Sequence, residues 1–203
     1  MSLHRLQPAA EKHWARTDKV MHRLSKAHPI PPEQQMKADD GFAALVMSIT
    51  HQQVSMAAGR SIHAKLIKVL GGKVTPRRVL NRTEQRLRSA GLSRAKATYV
   101  LDLADKTLRG DVEFARFPGM TDEAIIEELT SVKGIGTWTA KMFLLFHLQR
   151  PDVFAPEDLG LRLGVANAYG VPPEKAAAKM EQMREKWSPY NSVGARVLWQ
   201  SRH

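Results

Sequence analysis

Apolar residues recur three and four positions apart along most of the chain, and proline, glycine or a short polar residue stands wherever the pattern breaks. That is the periodicity of helices packed on one face. Pro8 to Ala27 reads as a polar, amphipathic helix. His28-Pro-Ile-Pro-Pro32 stops it, since proline lacks a backbone donor and disfavours helical backbone in the residue before it. Asp39 and Asp40 are placed to cap a helix whose first turns hold Phe42, Leu45 and Val46. Ser55 opens another, with Ile62, Leu66, Val69 and Leu70 inward and Gly71-Gly72 closing it. Thr75-Pro76 pairs a capping residue with proline at the first helical position. Gly91 reads as a C-terminal cap. Ser93 then opens a helix with Ala97, Val100, Leu101, Ala104 and Leu108 on its apolar face and Gly110 behind it. Thr121-Asp-Glu sets acids on a first turn, where the helix dipole favours them. Thr137 begins a helix through Leu148, and Pro172-Pro-Glu174 and Ser188-Pro189 begin the last two. Alternation with a period of two is weak, and Val112 to Phe117, the one candidate strand, is too short for a sheet. The pattern predicts an all-α fold of about nine or ten helices.

Composition narrows the function. The chain has 203 residues, 43% of them hydrophobic, enough for a core and too many for a disordered chain. With 31 Lys and Arg against 20 Asp and Glu, the formal charge is +11. That excess points to a polyanion as partner, the alternative being a basic but inert surface. Cysteine is absent, which excludes disulfides, thiolate zinc, iron–sulfur clusters and a cysteine nucleophile. His51, His63 and His147 have no metal-ligand spacing, so no zinc is assigned. The first 16 residues lack the apolar run of a signal peptide. No stretch reaches the ~20 apolar residues of a membrane span. A cytoplasmic protein without membrane contact is expected, nucleoid-associated if bacterial.

The most informative segment is Leu129-Thr-Ser-Val-Lys-Gly-Ile-Gly-Thr-Trp-Thr-Ala140, two helices joined by Val132-Lys-Gly-Ile-Gly136. Glycines at 134 and 136 tolerate positive φ and expose consecutive backbone N–H groups. At the start of a helix such a concavity binds anions. Lys133 adds charge beside it, and Ile135 is an apolar plug that pins the turn. A lone Gly-x-Gly would favour a plain helix C-cap followed by a tight turn.

The whole string resembles the helix–hairpin–helix of the DNA glycosylase (HhH-GPD) superfamily. The resemblance implies that amides of Gly134, Ile135 and Gly136, with Lys133, hold a DNA phosphate. It also implies that the backbone carbonyls of Thr130, Val132 and Ile135 hold an alkali-metal ion, Na+ or K+, no other cofactor being implied. Such binding is sequence-independent and weakens with salt. Since helix–hairpin–helix modules also occur in polymerases, ligases and nucleases, the hairpin alone implies only contact with the DNA backbone.

Downstream lies Asp152-Val-Phe-Ala-Pro-Glu-Asp-Leu-Gly-Leu161, where the superfamily carries its catalytic Asp after a proline-containing loop. The match falls on Asp158, and leaves Glu157 and Asp152 outside the catalytic position. Without the hairpin, Asp158 would read as an acid at a helix N-terminus. Bifunctional members carry a Schiff-base lysine at the second residue after the last hairpin glycine, and here that residue is Trp138. A monofunctional, water-using enzyme is therefore expected; Lys141, one helical turn on, is the displaced alternative to the lysine, and as a rule such a residue is a solvent or phosphate contact. The lack of cysteine argues against the cluster-containing branches.

Gly136-Thr-Trp-Thr-Ala140, Lys186-Trp-Ser-Pro-Tyr190, Arg196-x-x-Leu-Trp199, Ile49 to Ala58 and Gly91 to Lys96 with Tyr99 are similar to the bacterial 3-methyladenine DNA glycosylase II (AlkA) family. The similarity runs from about Phe42 to Trp199. It implies two helical subdomains, 1–40 with 145–203 and 41–144, without the N-terminal β domain of some relatives. Trp138 and Tyr190 match base-stacking positions, and Met142 stands where an aromatic is often found. Trp187 and Trp199 are left as core or cleft-wall residues. Gln53, in the Gln52-Gln53 turn, matches the wedge that fills the gap left by a flipped base, the alternative being a polar loop residue. Lys133, Arg94 and Lys96 are expected to contribute to the DNA-binding charge. The implied activity is excision of alkylated purines, 3-methyladenine first and 7-methylguanine next, from damaged double-stranded DNA by a monomer. A glycosylase for an etheno, deaminated or oxidised base, and a non-catalytic DNA-binding module, stay as alternatives.

Overall fold

The computed structural model describes residues 2–32 and 41–202. These form α1 (Leu3–Thr17), α2 (Lys19–Ala27), α3 (Gly41–His51), α4 (Met56–Val69), α5 (Pro76–Leu80) and α6 (Glu84–Arg88). There follow α7 (Arg94–Arg109), α8 (Asp122–Thr130), α9 (Thr137–Phe146), α10 (Leu159–Tyr169), α11 (Ala176–Trp187) and α12 (Asn191–Gln200). Among the described residues there is no strand. Val112 to Phe117 is no exception, because Phe114–Gly119 is a 3-10 helix. Most predicted caps hold: Ser55, Thr75, Ser93 and Thr121 each accept a hydrogen bond from the N–H three residues on. The proposed capping by Asp39 and Asp40 lies outside the described residues. None of the helices described is long and apolar enough to cross a membrane.

The chain divides into two compact units, Met36–Phe143 and the two terminal segments Met1–Gln35 with Leu144–His203. In the first, α3, α4, α7 and α8 bury Leu45, Ile49, Leu66, Val100, Leu103, Ile125 and Leu129. Phe117 packs edge-on against Phe114 and Phe143, with ring centroids 5.3 and 6.0 Å away. Leu108, expected inward, is 48% exposed, because the buried stripe of α7 runs through Leu103 and Ala104 instead.

The terminal segments form the other unit around Trp14, Met21, Leu161, Trp187 and Val193. The single helix expected over Pro8 to Ala27 is two. Asp18 leaves helical geometry at φ −155° and caps α2, accepting from Val20 N and Met21 N at 3.0 and 3.1 Å. Its other oxygen takes the Tyr169 hydroxyl and, at 2.9 Å, Trp187 Nε1. Burial, with the Asp18 hydrogen bond, pushes the Tyr169 phenol above its ordinary range and keeps it a donor. α9 ends two residues short of Leu148, where Gln149 takes φ +56° and its Nε2 donates 2.8 Å to the Phe146 carbonyl.

Candidate functional site

The hairpin between α8 and α9 is a tight turn. Ile135 N donates to Val132 O at 3.1 Å, and Gly134, at φ +77°, takes the position where a β-turn of this kind needs positive φ. Ile135 is 3% exposed and serves as the plug. Since its N–H is already donated within the turn, the amides left for an anion are those of Gly134 and Gly136. The two glycines differ. A Cβ on Gly134 would lie 2.1 Å from the Tyr99 ring, whereas one on Gly136 would meet nothing within 4 Å, and Gly136 is not left-handed. Among the described residues nothing requires glycine at 136. The open space there suits the close approach of an external backbone.

A single face of α7 carries the hairpin. Tyr99 packs on Gly134. Asp102 Oδ2 accepts from Lys133 N at 2.9 Å, and Asp102 Oδ1 lies 3.9 Å from Lys133 Nζ. Lys106 Nζ donates to Ser131 O at 2.6 Å. One turn earlier, Lys96 Nζ donates to Thr50 O at 3.0 Å, at the end of α3. Lys96 is thus buried, and burial lowers its pKa from the usual lysine value. It corrects the expectation of a DNA-facing charge: Lys96 instead secures the α3 terminus. Arg94 is exposed and lies 3.4 Å from Glu84. The recurrence at 96, 99, 102 and 106 is a helical face, but its polar residues read from sequence as solvated surface.

The Gln52-Gln53 turn meets the hairpin directly, because Gln52 Nε2 donates to Gly134 O at 2.9 Å. Gln53 is exposed, with φ +54°. A non-glycine residue held left-handed costs free energy and concentrates at ligand-contacting positions. Trp138 follows in the first turn of α9 and is 46% exposed, with Met142 one turn on and half-buried beside Lys141. The carbonyls of Thr130, Val132 and Ile135 are neutral, hard oxygens, a donor set that fits an alkali-metal ion. Among the described residues no group of three His, Cys, Asp or Glu could hold a metal.

Asp158 and Tyr190 belong to the other unit. Asp158 caps α10 and is 8% exposed. Its Oδ1 accepts from Leu161 N at 2.7 Å and from Trp199 Nε1 at 3.1 Å. The sequence offers no sign of this indole contact. Asp152 is engaged elsewhere, taking Ser188 Oγ at 2.6 Å on one oxygen and Asn191 N and Nδ2 at 3.1 and 2.6 Å on the other. It thereby fixes the segment that carries Tyr190, whose ring meets His13 edge-on at 5.7 Å. Trp187 is core, 2% exposed.

The sequence profile described as HhH-GPD superfamily base excision DNA repair protein matches residues 46–189. A DNA-3-methyladenine glycosylase of Saccharomyces cerevisiae is 33% identical, over 79% of this chain and 66% of that protein. DNA-3-methyladenine glycosylase 2 of Escherichia coli is 27% identical, over 79% of this chain and 57% of that protein. The chain thus spans 66% and 57% of the lengths of these two curated relatives. The structure of Schizosaccharomyces pombe 3-methyladenine DNA glycosylase (Mag1) in complex with abasic DNA superposes with a TM-score of 0.84, at 26% identity, over 95% of this chain and 96% of that one.

Proposed function

The chain belongs to the HhH-GPD superfamily of base excision DNA repair proteins, and from that membership we propose that it is a DNA N-glycosylase hydrolysing the bond between deoxyribose and an alkylated purine, 3-methyladenine before 7-methylguanine. The observation that carries the reading is the buried carboxylate of Asp158, held by two donors and following the hairpin in chain order. The relatives' names support the substrate class, and the abasic DNA bound by the Schizosaccharomyces pombe protein supports DNA as partner.

The residues divide the work as follows. The amides of Gly134 and Gly136 and the Lys133 ammonium hold a phosphate. The backbone carbonyls of Thr130, Val132 and Ile135 would hold an alkali-metal ion, which would supply positive charge to the hairpin. Gln53 fills the stack vacated by the flipped nucleotide. Trp138 and Tyr190 attract the cationic purine through their ring faces. Cleavage builds positive charge on the sugar, which ionised Asp158 stabilises while orienting water. The leaving base is already cationic, so the second acid of ordinary glycosidases is dispensable. Trp138 cannot form a Schiff base, so the reaction stops at the abasic site. An adduct trapped by borohydride and abolished in Lys141→Ala would overturn that last point.

Two results are expected from these roles. Asp102→Ala frees the Lys133 N–H from its cap and weakens affinity for lesion-free duplex about fivefold, about 1 kcal/mol, by fluorescence anisotropy. Gln53→Gly leaves stability within about 1 kcal/mol of the parent, relief of the left-handed side chain offsetting the entropy of glycine. Excision by Gln53→Gly nevertheless falls about tenfold in single-turnover assays, because the flipped state is left without its plug. The proposal as a whole is tested on a panel of duplexes bearing methylated, etheno, deaminated or oxidised bases. Preferential release of methylated purines supports it, and release confined to another lesion class replaces it.

A further inference from the structure

Two helices, α12 and α10, place a donor on one oxygen of Asp158, and a third, α9, backs one of the donors. Trp199, near the end of α12, donates its indole N–H to Oδ1 at 3.1 Å, and Leu161 N, in the first turn of α10, donates to the same atom at 2.7 Å. Phe146, at the end of α9, stacks on the Trp199 ring at 5.3 Å and 17°, and the Arg196 guanidinium lies 5.1 Å from the Phe146 ring. The stack fixes the plane of the indole and with it the direction of the N–H. Gly160 completes the arrangement. A Cβ there would sit 2.9 Å from Trp199 Nε1 and 3.0 Å from Asp158 Oδ1, and Gly160 is not left-handed. Its lack of a side chain is a matter of space for the indole, not of backbone conformation.

A helix N-cap normally needs only the backbone donor that Leu161 supplies. A second donor on the same oxygen, from a residue 41 positions away, further restricts the rotation of the carboxylate. Charge stabilisation is most effective when the charged group is already in place and does not reorganise as the reaction proceeds. We propose that Trp199 is a positioning residue for the Asp158 carboxylate, with Phe146 and Gly160 setting the indole in place. The inference rests on the reading of Asp158 as the acid that stabilises the developing sugar cation. Trp199 acts on the rate of bond cleavage and not on affinity for DNA.

Trp199→Phe keeps a ring to stack on Phe146 and deletes the N–H. The test is single-turnover excision from a methylated duplex, run beside DNA affinity and thermal unfolding, for the parent, Trp199→Phe, Gly160→Ala, Asp158→Asn and the Asp158→Asn/Trp199→Phe double variant. Trp199→Phe is expected to lower the cleavage rate constant about 10- to 100-fold, about 1.4–2.7 kcal/mol at 1.36 kcal/mol per decade, with affinity unchanged. Gly160→Ala, which crowds the same hydrogen bond by another route, lowers it in the same sense. In the Asp158→Asn background, Trp199→Phe has no further effect on the rate, since the charge it positions is gone. A folded Trp199→Phe protein cleaving at the parental rate overturns the inference. So does a fall by the same factor in both backgrounds, which would mark the tryptophan as merely structural. Should Trp199→Phe fail to fold, Gly160→Ala decides: a parental rate overturns the inference, and a reduced rate with unchanged affinity supports it. If the parent releases no base from any duplex, it is the glycosylase reading that fails.

Discussion

Asp158→Asn is expected to lower the single-turnover rate of base release by about 10³-fold or more, about 4 kcal/mol, while DNA affinity stays within about twofold of the parent. The substitution removes the negative charge and little else. Asparagine is as good an N-cap as aspartate, so Leu161 N and Trp199 Nε1 keep an acceptor of the same shape at 2.7 and 3.1 Å. The unfolding midpoint should therefore hold. A slower rate with fold and affinity intact separates an enzyme from a module that only binds DNA, because a binding module has no use for this charge. Paired measurement of excision and anisotropy checks it. Parental excision by Asp158→Asn removes Asp158 from the chemistry.

The second large effect is a contrast between the two hairpin glycines. Gly134→Ala forces a left-handed alanine, at a cost of about 1 kcal/mol. It also drives a Cβ to within 2.1 Å of the Tyr99 ring. The turn must then move off α7, and DNA affinity should fall about 100-fold, with a lower unfolding midpoint. Combining it with Tyr99→Ala recovers part of the affinity, because the clash is relieved while the left-handed cost remains. Gly136→Ala meets no atom within 4 Å and has no left-handed backbone to strain. Its unfolding midpoint should match the parent, while affinity falls about tenfold because the methyl group occupies the space a phosphate needs. Equal affinity for Gly136→Ala and the parent would contradict phosphate docking at that amide. Titration against salt is a companion check: the Gly136 amide is uncharged, so Gly136→Ala should leave the slope of log affinity on log salt near the parental value.

What is legible in the sequence follows the range of each interaction. Ser55, Thr75, Ser93 and Thr121 cap helices through bonds spanning three residues, so their types and spacing suffice. The hairpin is equally plain, because Gly134, Ile135 and Gly136 act through the backbone of one short segment. Asp18 is a local cap of the same kind, accepting from Val20 N and Met21 N, but it lies within one continuous amphipathic pattern, and the hold of its second oxygen on Tyr169 and Trp187, about 150 and 170 residues away in the chain, leaves no local sign. Lys96 misleads in the opposite direction. A lysine on an amphipathic helix reads as surface charge, and only the fold shows its ammonium on the Thr50 carbonyl. Asp102 and Lys106 are hidden in the same way, as polar residues on a helix face that in fact faces a loop. Trp199 reads as an aromatic of the core or cleft wall, and its N–H finds Asp158 only because α12 returns to the start of α10. The Asp158 match itself comes from position after the hairpin, not from any property of the local sequence. Side-chain partners far apart in sequence are thus beyond the reach of pattern and spacing, and they include most of what holds the proposed site in shape.

The decisive experiment is chromatographic identification of the base released from methylated double-stranded DNA, with the strand analysed before and after alkali. Free 3-methyladenine is expected first, then 7-methylguanine, with a strand that stays intact until alkali cleaves the abasic site. Absence of free methylated purine, or a strand nicked by the protein alone, would contradict a monofunctional alkylpurine glycosylase.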